Sequence, residues 1–553
     1  MRLPRAQTHD IVREADLAVP ADDGVVLFAD RWVARSSRDR PQPTVLVRSP
    51  YGRAQIVGLL FGRLLAERGL QVVIQSVRGT FGSGGTFSPF DERADGLATL
   101  RWIRAQPWHA HRIGMIGPSY LGLVQWAVAP DAGDDLAALA VQVSASQFHG
   151  QTYAGGSLSL ENAASWLVLV ADQERRFALL ATVRRLRRLP ALIADPPFGD
   201  LDERLTGAEV AWFREGMAHP GRDDPYWVKR DYAAGVSKVT APVQFIGGWY
   251  DIFLPWMLED FAALHDAGHD PQLVVGPWTH TAPALTGAAL RDGLGWLRAR
   301  LLEDDRLMKP ARIRVSVTGE RAGGRWREFE RWPPPGTEEW KLWLGADGTL
   351  LDSGPVEGAE ASGRYRYDPG DPTPSLGGPV LLSREPVQDN RTLEARPDVL
   401  TYTASPLREA YEAIGPVRVE LWVAASSPYF DVFARVCDVE PGGASWNVCD
   451  ALARVAPGRF EQTADESWRV AFDLWPTGHR FAAGHRIRLQ VSSGAHPRYA
   501  RNPGTGEDPV GATAPRAVDI EVRHDRDRPS VLVLPRGGEA YTVGGRSRAA
   551  ATG

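Results

Sequence analysis

Short apolar runs alternate with stretches of helical spacing in the first third of the chain, and this rhythm restricts the fold more than any other feature. Residues 44–48, 71–75 and 112–117 are continuous β-rich runs. Residues 56–68, 91–106 and 121–128 carry apolar positions at helical intervals. Strands that are apolar throughout need cover on both faces, so the pattern predicts a parallel sheet sandwiched by helices. The rhythm stops near Ser146, where a helical segment rich in Trp, Phe and Arg begins, and resumes with strand-like runs at 242–248 and 272–276. The intervening segment therefore reads as an insertion into an α/β unit.

Beyond about Pro335 the signal changes. Residues 340–344, 417–423, 430–436 and 487–491 are strand-like and are separated by Gly, Pro and Asp turns, a sandwich or jelly-roll pattern. The 56 glycines and 42 prolines suit a turn-rich β unit better than a helical bundle. At 553 residues the chain is too long for one ordinary core. The expected division is an α/β unit at 1–145 and 241–335, a helical insertion at 146–240, and a β-sandwich at 336–553. The small, polar or basic tail at 545–553 is expected to fray.

Composition excludes several classes of function. The 63 basic residues are balanced by 68 acidic ones, a net charge of −5 without a basic stripe, so neither nucleic acid nor an anionic membrane is an expected partner. The run Arg184-Arg185-Leu186-Arg187-Arg188 reads as a solvated helix face. No apolar stretch reaches membrane-spanning or signal-peptide length. Two cysteines, Cys437 and Cys449, cannot build a disulfide framework and read as buried thiols of a reducing, cytoplasmic compartment. Nothing marks an oligomer interface; a homodimer is the default.

The chemistry concentrates at Gly117-Pro118-Ser119-Tyr120-Leu121-Gly122, between a strand and a helix. A serine on such a turn is lifted above the sheet at the positive end of the helix, which suits a nucleophile; an N-capping serine is the plain alternative. The second glycine comes one position later than in the common Gly-x-Ser-x-Gly elbow. Serine needs a base, and in this topology the acid and histidine follow at later strand ends. Asp251 follows the run at 242–248, and His280 follows the run at 272–276. His265 and His269 have helical spacing but no third metal ligand; His109, His111, His479, His485 and His496 sit away from suitable strand ends. The Tyr120 amide, next to the nucleophile, is the expected first oxyanion donor. In the loop after the first run, Tyr51 offers a phenolic hydroxyl for the second; a half-buried packing aromatic is the plain alternative, which spacing alone does not reject. Phe253, two residues past Asp251, is the best candidate for lining an acyl pocket; Phe148, Trp166 and Trp278 are weaker ones.

Several stretches together resemble the cocaine esterase-like (CocE/NonD) hydrolase family, related to X-Pro dipeptidyl-peptidases and α-amino-acid ester hydrolases. They include Arg48-Ser-Pro-Tyr-Gly, Val77-Arg-Gly-Thr-Phe-Gly-Ser-Gly-Gly, Gly117-Pro-Ser-Tyr-Leu-Gly, Gly248-Trp-Tyr-Asp and Gly276-Pro-Trp-Thr-His. Leu400-Thr-Tyr-Thr-Ala-Ser-Pro-Leu and Val491-Ser-Ser-Gly-Ala-His-Pro-Arg extend the likeness into the second half. The resemblance implies an α/β-hydrolase core, an inserted helical cap and a C-terminal jelly roll. It also implies a serine esterase or amidase without cofactor, with Ser119, Asp251 and His280 as triad and Tyr51 and the Tyr120 amide as oxyanion hole. Pro118 is less familiar beside such a nucleophile, and the cap resembles the family least. The substrate class stays open between acyl esters or amides, X-Pro or α-amino substrates that would need pocket carboxylates such as Glu161, Asp172 or Glu174, and acyl transfer to another acceptor. The rival from another class is a non-catalytic ligand- or glycan-binding protein.

Overall fold

The structure is a computed structural model that describes residues 3–309, 311–319, 325–355, 362–382 and 385–537; the tail at 545–553 lies outside them. Ten strands form the first sheet: β1 (Ile11–Pro20), β2 (Val26–Ala34), β3 (Gln42–Ser49), β4 (Gln71–Ser76), β5 (His109–Pro118), β6 (Leu136–Gln142), β7 (Val243–Tyr250), β8 (Gln272–Thr279), β9 (Ile313–Val317) and β10 (Arg325–Phe329). Their order is β1-β2-β4-β3-β5-β6-β7-β8-β9-β10. The pairs from β4 to β9 are parallel, and β4 and β7 are buried throughout.

The expected all-parallel sheet holds only in this centre. β1 pairs antiparallel with β2, β2 with β4, and β9 with β10. A short link makes the first of these antiparallel: Ala21 N–H reaches Val25 O at 2.8 Å, closing a turn too tight for a crossover. His109 and His111 lie within β5 rather than before it.

The chain leaves β3 for β4 on one side and returns to β5 on the other. That reversal opens a crevice at the carboxyl ends of β3 and β5, the place where open α/β sheets hold ligands. Tyr51 and Ser119 follow those two ends.

Between β6 and β7 the chain forms helices, including Leu160–Ala171, Ala178–Leu192, Leu201–Thr206 and Ala211–Ala218. Arg185 pairs with Asp172, while Arg184, Arg187 and Arg188 are exposed on the second of these helices. None of the described helices is long and apolar enough to cross a membrane.

From Thr337–Gly345 onward the regular structure is almost wholly β. Its longest strand, Tyr411–Ala425, pairs with Trp468–Phe481 and with Val518–Arg523 and Val531–Gly537. This unit is stitched to the end of β9: Thr318 N–H donates to Gly478 O at 2.7 Å, and Arg480 N–H to Thr318 O at 2.9 Å. The Trp249 indole, two residues before Asp251, lies against Gly478, where a Cβ would sit 2.6 Å from the ring. Cys437 and Cys449 are both buried and unpaired.

Asp260, on the helix Leu254–Asp266 that follows β7, carries a testable consequence. Its carboxylate accepts from Ser146 N–H at 2.7 Å and Ser146 Oγ–H at 2.5 Å. Burial outweighs these bonds and pushes the carboxyl up to about 8. A group raised in the folded state keeps its full contribution below the unfolded value, near 4, and loses it as pH rises through the folded value. Asp260 should therefore reduce stability between about pH 4 and 8, at no more than about 1.4 kcal/mol per pH unit. Asp260→Asn should flatten that slope in urea titrations at successive pH values. Parallel profiles for parent and variant would contradict the assignment.

Candidate active site

Ser119 lies between β5 and the helix Tyr120–Trp126 with φ 57° and ψ −123°, a conformation that a residue with a Cβ seldom adopts. Hydrogen bonds on both sides of the residue hold it there. Ser119 N–H donates to Gln142 O of β6 at 2.9 Å. Its carbonyl accepts from Gly122 N–H at 2.8 Å, Leu123 N–H at 3.1 Å and Ser144 Oγ–H at 2.6 Å. The displaced glycine now has a physical reason: a Cβ on Gly122 would stand 2.4 Å from Ser144 Cβ, the side chain that grips the turn. A Cβ on Gly117 would meet Leu121 Cβ at 2.3 Å.

Asp251 and His280 follow neighbouring parallel strands. Gly248 faces Gly276 in the register, but Tyr250 faces Thr279, so β8 carries one extra residue at its end. That bulge re-aims the chain beyond it. His280 Nδ1 comes to 2.6 Å from Asp251 Oδ2, and both residues are buried. A carboxylate only accepts, so Nδ1 carries the proton and Nε2 is left as the basic nitrogen. Asp251 Oδ1 also accepts from Phe253 N–H at 2.9 Å, which fixes the carboxylate plane. The glycines before each residue make room for Trp278, whose carbonyl would lie 2.2 Å from a Cβ on Gly248 and whose ring would lie 2.5 Å from one on Gly276. Trp278 thus packs against the strand ends and Trp326, and does not line the cavity at Ser119.

Tyr51 sits just past β3, where its N–H bonds Ser49 Oγ at 3.0 Å and Gln173 Nε2 holds the preceding carbonyl of Pro50 at 2.7 Å. The Trp166 indole N–H donates to the Tyr51 hydroxyl at 3.1 Å. Burial pushes the Tyr51 phenol up to about 12, opposed by that bond, so the O–H stays protonated at neutral pH. With one lone pair taken by Trp166, the phenol's proton is free to donate elsewhere.

Ser119, Tyr51, Tyr120 and Phe253 line one cavity. Its wall is a chain of aromatic contacts. Phe148 and Phe253 lie 4.3 Å apart by ring centroids, Phe90 and Phe148 5.0 Å, Phe90 and Trp166 5.4 Å, and Trp166 and Trp212 4.8 Å. Phe253 is 5.6 Å from the His280 ring and so connects the imidazole to the cavity. No Asp, Glu, Lys or Arg is among the lining residues. Glu161 instead interacts with the buried Arg498, Asp172 pairs with Arg175 and Arg185, and Glu174 is exposed. Sequence reasoning missed Phe90, Trp212 and Leu381. They come from a loop, a helix without motif and the β-sandwich, and only the fold gathers them. Leu381 is held by its N–H donating to Asn162 Oδ1 at 2.9 Å. Among the described residues no three His, Cys, Asp or Glu side chains are placed to hold a metal ion; His269 faces the Ser237 carbonyl and His265 stacks on Phe261.

The chain is similar to known proteins along nearly its whole length. Residues 23–282 match the X-Pro dipeptidyl-peptidase (S15 family) profile, and residues 306–533 match the X-Pro dipeptidyl-peptidase C-terminal non-catalytic domain. The cocaine esterase of Rhodococcus sp. (strain MB1 Bresler) is 31% identical over 94% of this chain and 98% of its own. Two solved structures share the fold at a TM-score of 0.79. One is an aminopeptidase from a marine sediment Thaumarchaeota archaeon, at 21% identity, and the other an α-amino acid ester hydrolase, at 20%. Each covers 97% of this chain and 98% of the other.

The grip on the turn is open to a direct test. Gly122→Ala should force Ser144 away and lower kcat by about tenfold or more, roughly 1.4 kcal/mol. Gly287→Ala, where nothing lies within 4 Å of the new methyl, should leave kcat unchanged. Equal turnover in both variants would refute the role given to Ser144.

Proposed function

From the premise that the chain belongs to the cocaine esterase family of S15-type serine hydrolases, we propose that it hydrolyses carboxylic esters of uncharged, apolar acyl groups through an acyl-enzyme on Ser119. Ser119 Oγ attacks the acyl carbonyl while its proton passes to His280 Nε2. Asp251 holds the imidazole tautomer and stabilises the imidazolium. The Tyr51 hydroxyl and the Tyr120 amide donate to the tetrahedral oxyanion. Collapse of the intermediate breaks the ester C–O bond, and His280 returns the proton to the departing alkoxide. Water then attacks the acyl-enzyme with His280 as base, releasing the acid and restoring Ser119. The helical segment 146–240 acts as the cap over this site.

The observation that carries the reading is the aromatic, charge-free lining of the cavity that Ser119 shares. An α-amino substrate brings an ammonium group, which a buried site must neutralise with a carboxylate. Here the three cap carboxylates that could do so are engaged elsewhere or face solvent. The two structural relatives that act on such substrates bear on fold alone. An uncharged ester needs only apolar contact and two oxyanion donors. The two unpaired buried cysteines support a reducing, cytoplasmic setting.

Two measurements test this. Phenyl and alkyl esters should exceed free-amino dipeptides and α-amino esters by about a hundredfold or more in kcat/KM, since an unpaired buried ammonium costs several kcal/mol. A preference for the amino substrates would overturn the reading, and products esterified to added alcohols would redirect it to acyl transfer. Tyr51→Phe should fold normally and lose roughly 10²–10³ in kcat, and Ser119→Ala several orders of magnitude. Near-parental turnover in Tyr51→Phe would remove the phenol from the oxyanion hole.

A further inference from the structure

Tyr51 and Tyr120 reach the cavity from different strands, β3 and β5, and their spacing must be held to a fraction of an ångström if both are to donate to one oxygen. Behind them lies a buried polar network in otherwise apolar surroundings. The Tyr120 side chain is 1% exposed, and its hydroxyl donates to Glu92 Oε1 at 2.5 Å and accepts from Phe90 N–H at 3.0 Å. Glu92 Oε2 lies 2.9 Å from Arg48 Nη1, and the same guanidinium nitrogen donates to the Glu92 carbonyl at 3.0 Å. Arg48 is fully buried near the end of β3, three residues before Tyr51, and its Nε donates to Gln75 Oε1 of β4 at 2.7 Å. Tyr232 closes the loop, donating to Phe90 O at 2.6 Å and accepting from Glu92 N–H at 3.1 Å.

We propose that Glu92 is a positioning residue that, held between Arg48 and the Tyr120 hydroxyl, sets the distance between the two oxyanion donors. The inference rests on the reading of Tyr51 and the Tyr120 amide as those donors. A buried ion pair is poor support for stability, because apolar residues of equal volume fill such space as well or better. What the pair supplies is direction. The carboxylate has one oxygen toward the arginine that anchors the β3 end and the other toward the phenol of the residue after the nucleophile. Burial pushes the Glu92 carboxyl above its ordinary value, and Arg48 and the Tyr120 hydroxyl oppose that shift in part. The same carboxylate reaches the acyl wall, since Phe90, bonded to Tyr120 and Tyr232, lines the cavity.

The test compares Glu92→Gln, an isostere without charge, with Tyr120→Phe, which leaves the Arg48–Glu92 pair intact. Each is assayed with a phenyl ester. Each is also titrated with a phenylboronic acid, which becomes a tetrahedral anion on the serine, and with a neutral aromatic amide. In both variants kcat should fall by about tenfold to a hundredfold while KM stays within about twofold. Boronate affinity should fall with kcat, and amide affinity should stay. The double variant should be no worse than the weaker single one, because both act by one route. Parental kcat and boronate affinity would overturn the proposal, as would an equal loss of boronate and amide binding, which marks a deformed cavity. If Glu92→Gln does not fold, Tyr120→Phe alone decides. Stoichiometric labelling of Ser119 in the parent by an organophosphonate separates the two levels. Without it the underlying reading falls and this inference with it. With it, unaffected variants sink only the role of Glu92.

Discussion

The 2.6 Å hydrogen bond between Asp251 and His280 is the contact on which the site depends, and the sheet makes it. β7 and β8 run parallel, so their carboxyl ends emerge side by side, and one extra residue in β8 turns His280 toward its neighbour. Two glycines let Trp278 settle across both strand ends. The pair is buried, which strengthens its electrostatics and commits the imidazole to one tautomer. Ser119 meets the same condition on the other side of β6, where its strained backbone is held by Gln142 and Ser144 rather than by its own preference.

That Ser119, Asp251, His280 and Tyr51 sit at the ends of strands is legible in the sequence because each follows an apolar run, and such runs are strong signals. The central strands β3, β4, β5, β7 and β8 were legible for the same reason. Less was visible where local signals are weak. β6 has the sequence Leu-Ala-Ala-Leu-Ala-Val-Gln, which reads as helix by propensity and is a strand only because β5 and β7 pair with it. The antiparallel edges formed by β1, β2 and β10 went unread, since period and propensity do not give strand direction. The aromatic wall of the cavity is legible in part: Phe253 by its place two residues past Asp251, Phe148 and Trp166 as aromatics of the inserted segment, but Phe90, Trp212 and Leu381 only through tertiary assembly. Trp278 shows the reverse error, since nearness to His280 suggested a pocket role and the bulge turns the ring away.

The interior separates charge from substrate. Arg48, Glu92, Arg435, Asp450 and Arg498 are all buried, each in contact with an opposite charge. The cavity beside Ser119 carries none. That division suits an enzyme whose substrate is neutral and whose charge appears only in the transition state. On the proposed mechanism the two donors are a protonated phenol and an amide fixed by the fold, and neither would need to reorganise when the oxyanion forms.

The most direct test of this account is a crystal structure of the protein after reaction with an aryl phosphonate. The account predicts a phosphorus–oxygen bond to Ser119 Oγ, with the phosphoryl oxygen within hydrogen-bond distance of both the Tyr51 hydroxyl and the Tyr120 amide. His280 should still be bonded to Asp251, and the aryl group should lie against Phe253 and Trp166. An adduct on another residue, or a phosphoryl oxygen turned away from both tyrosines, would contradict it.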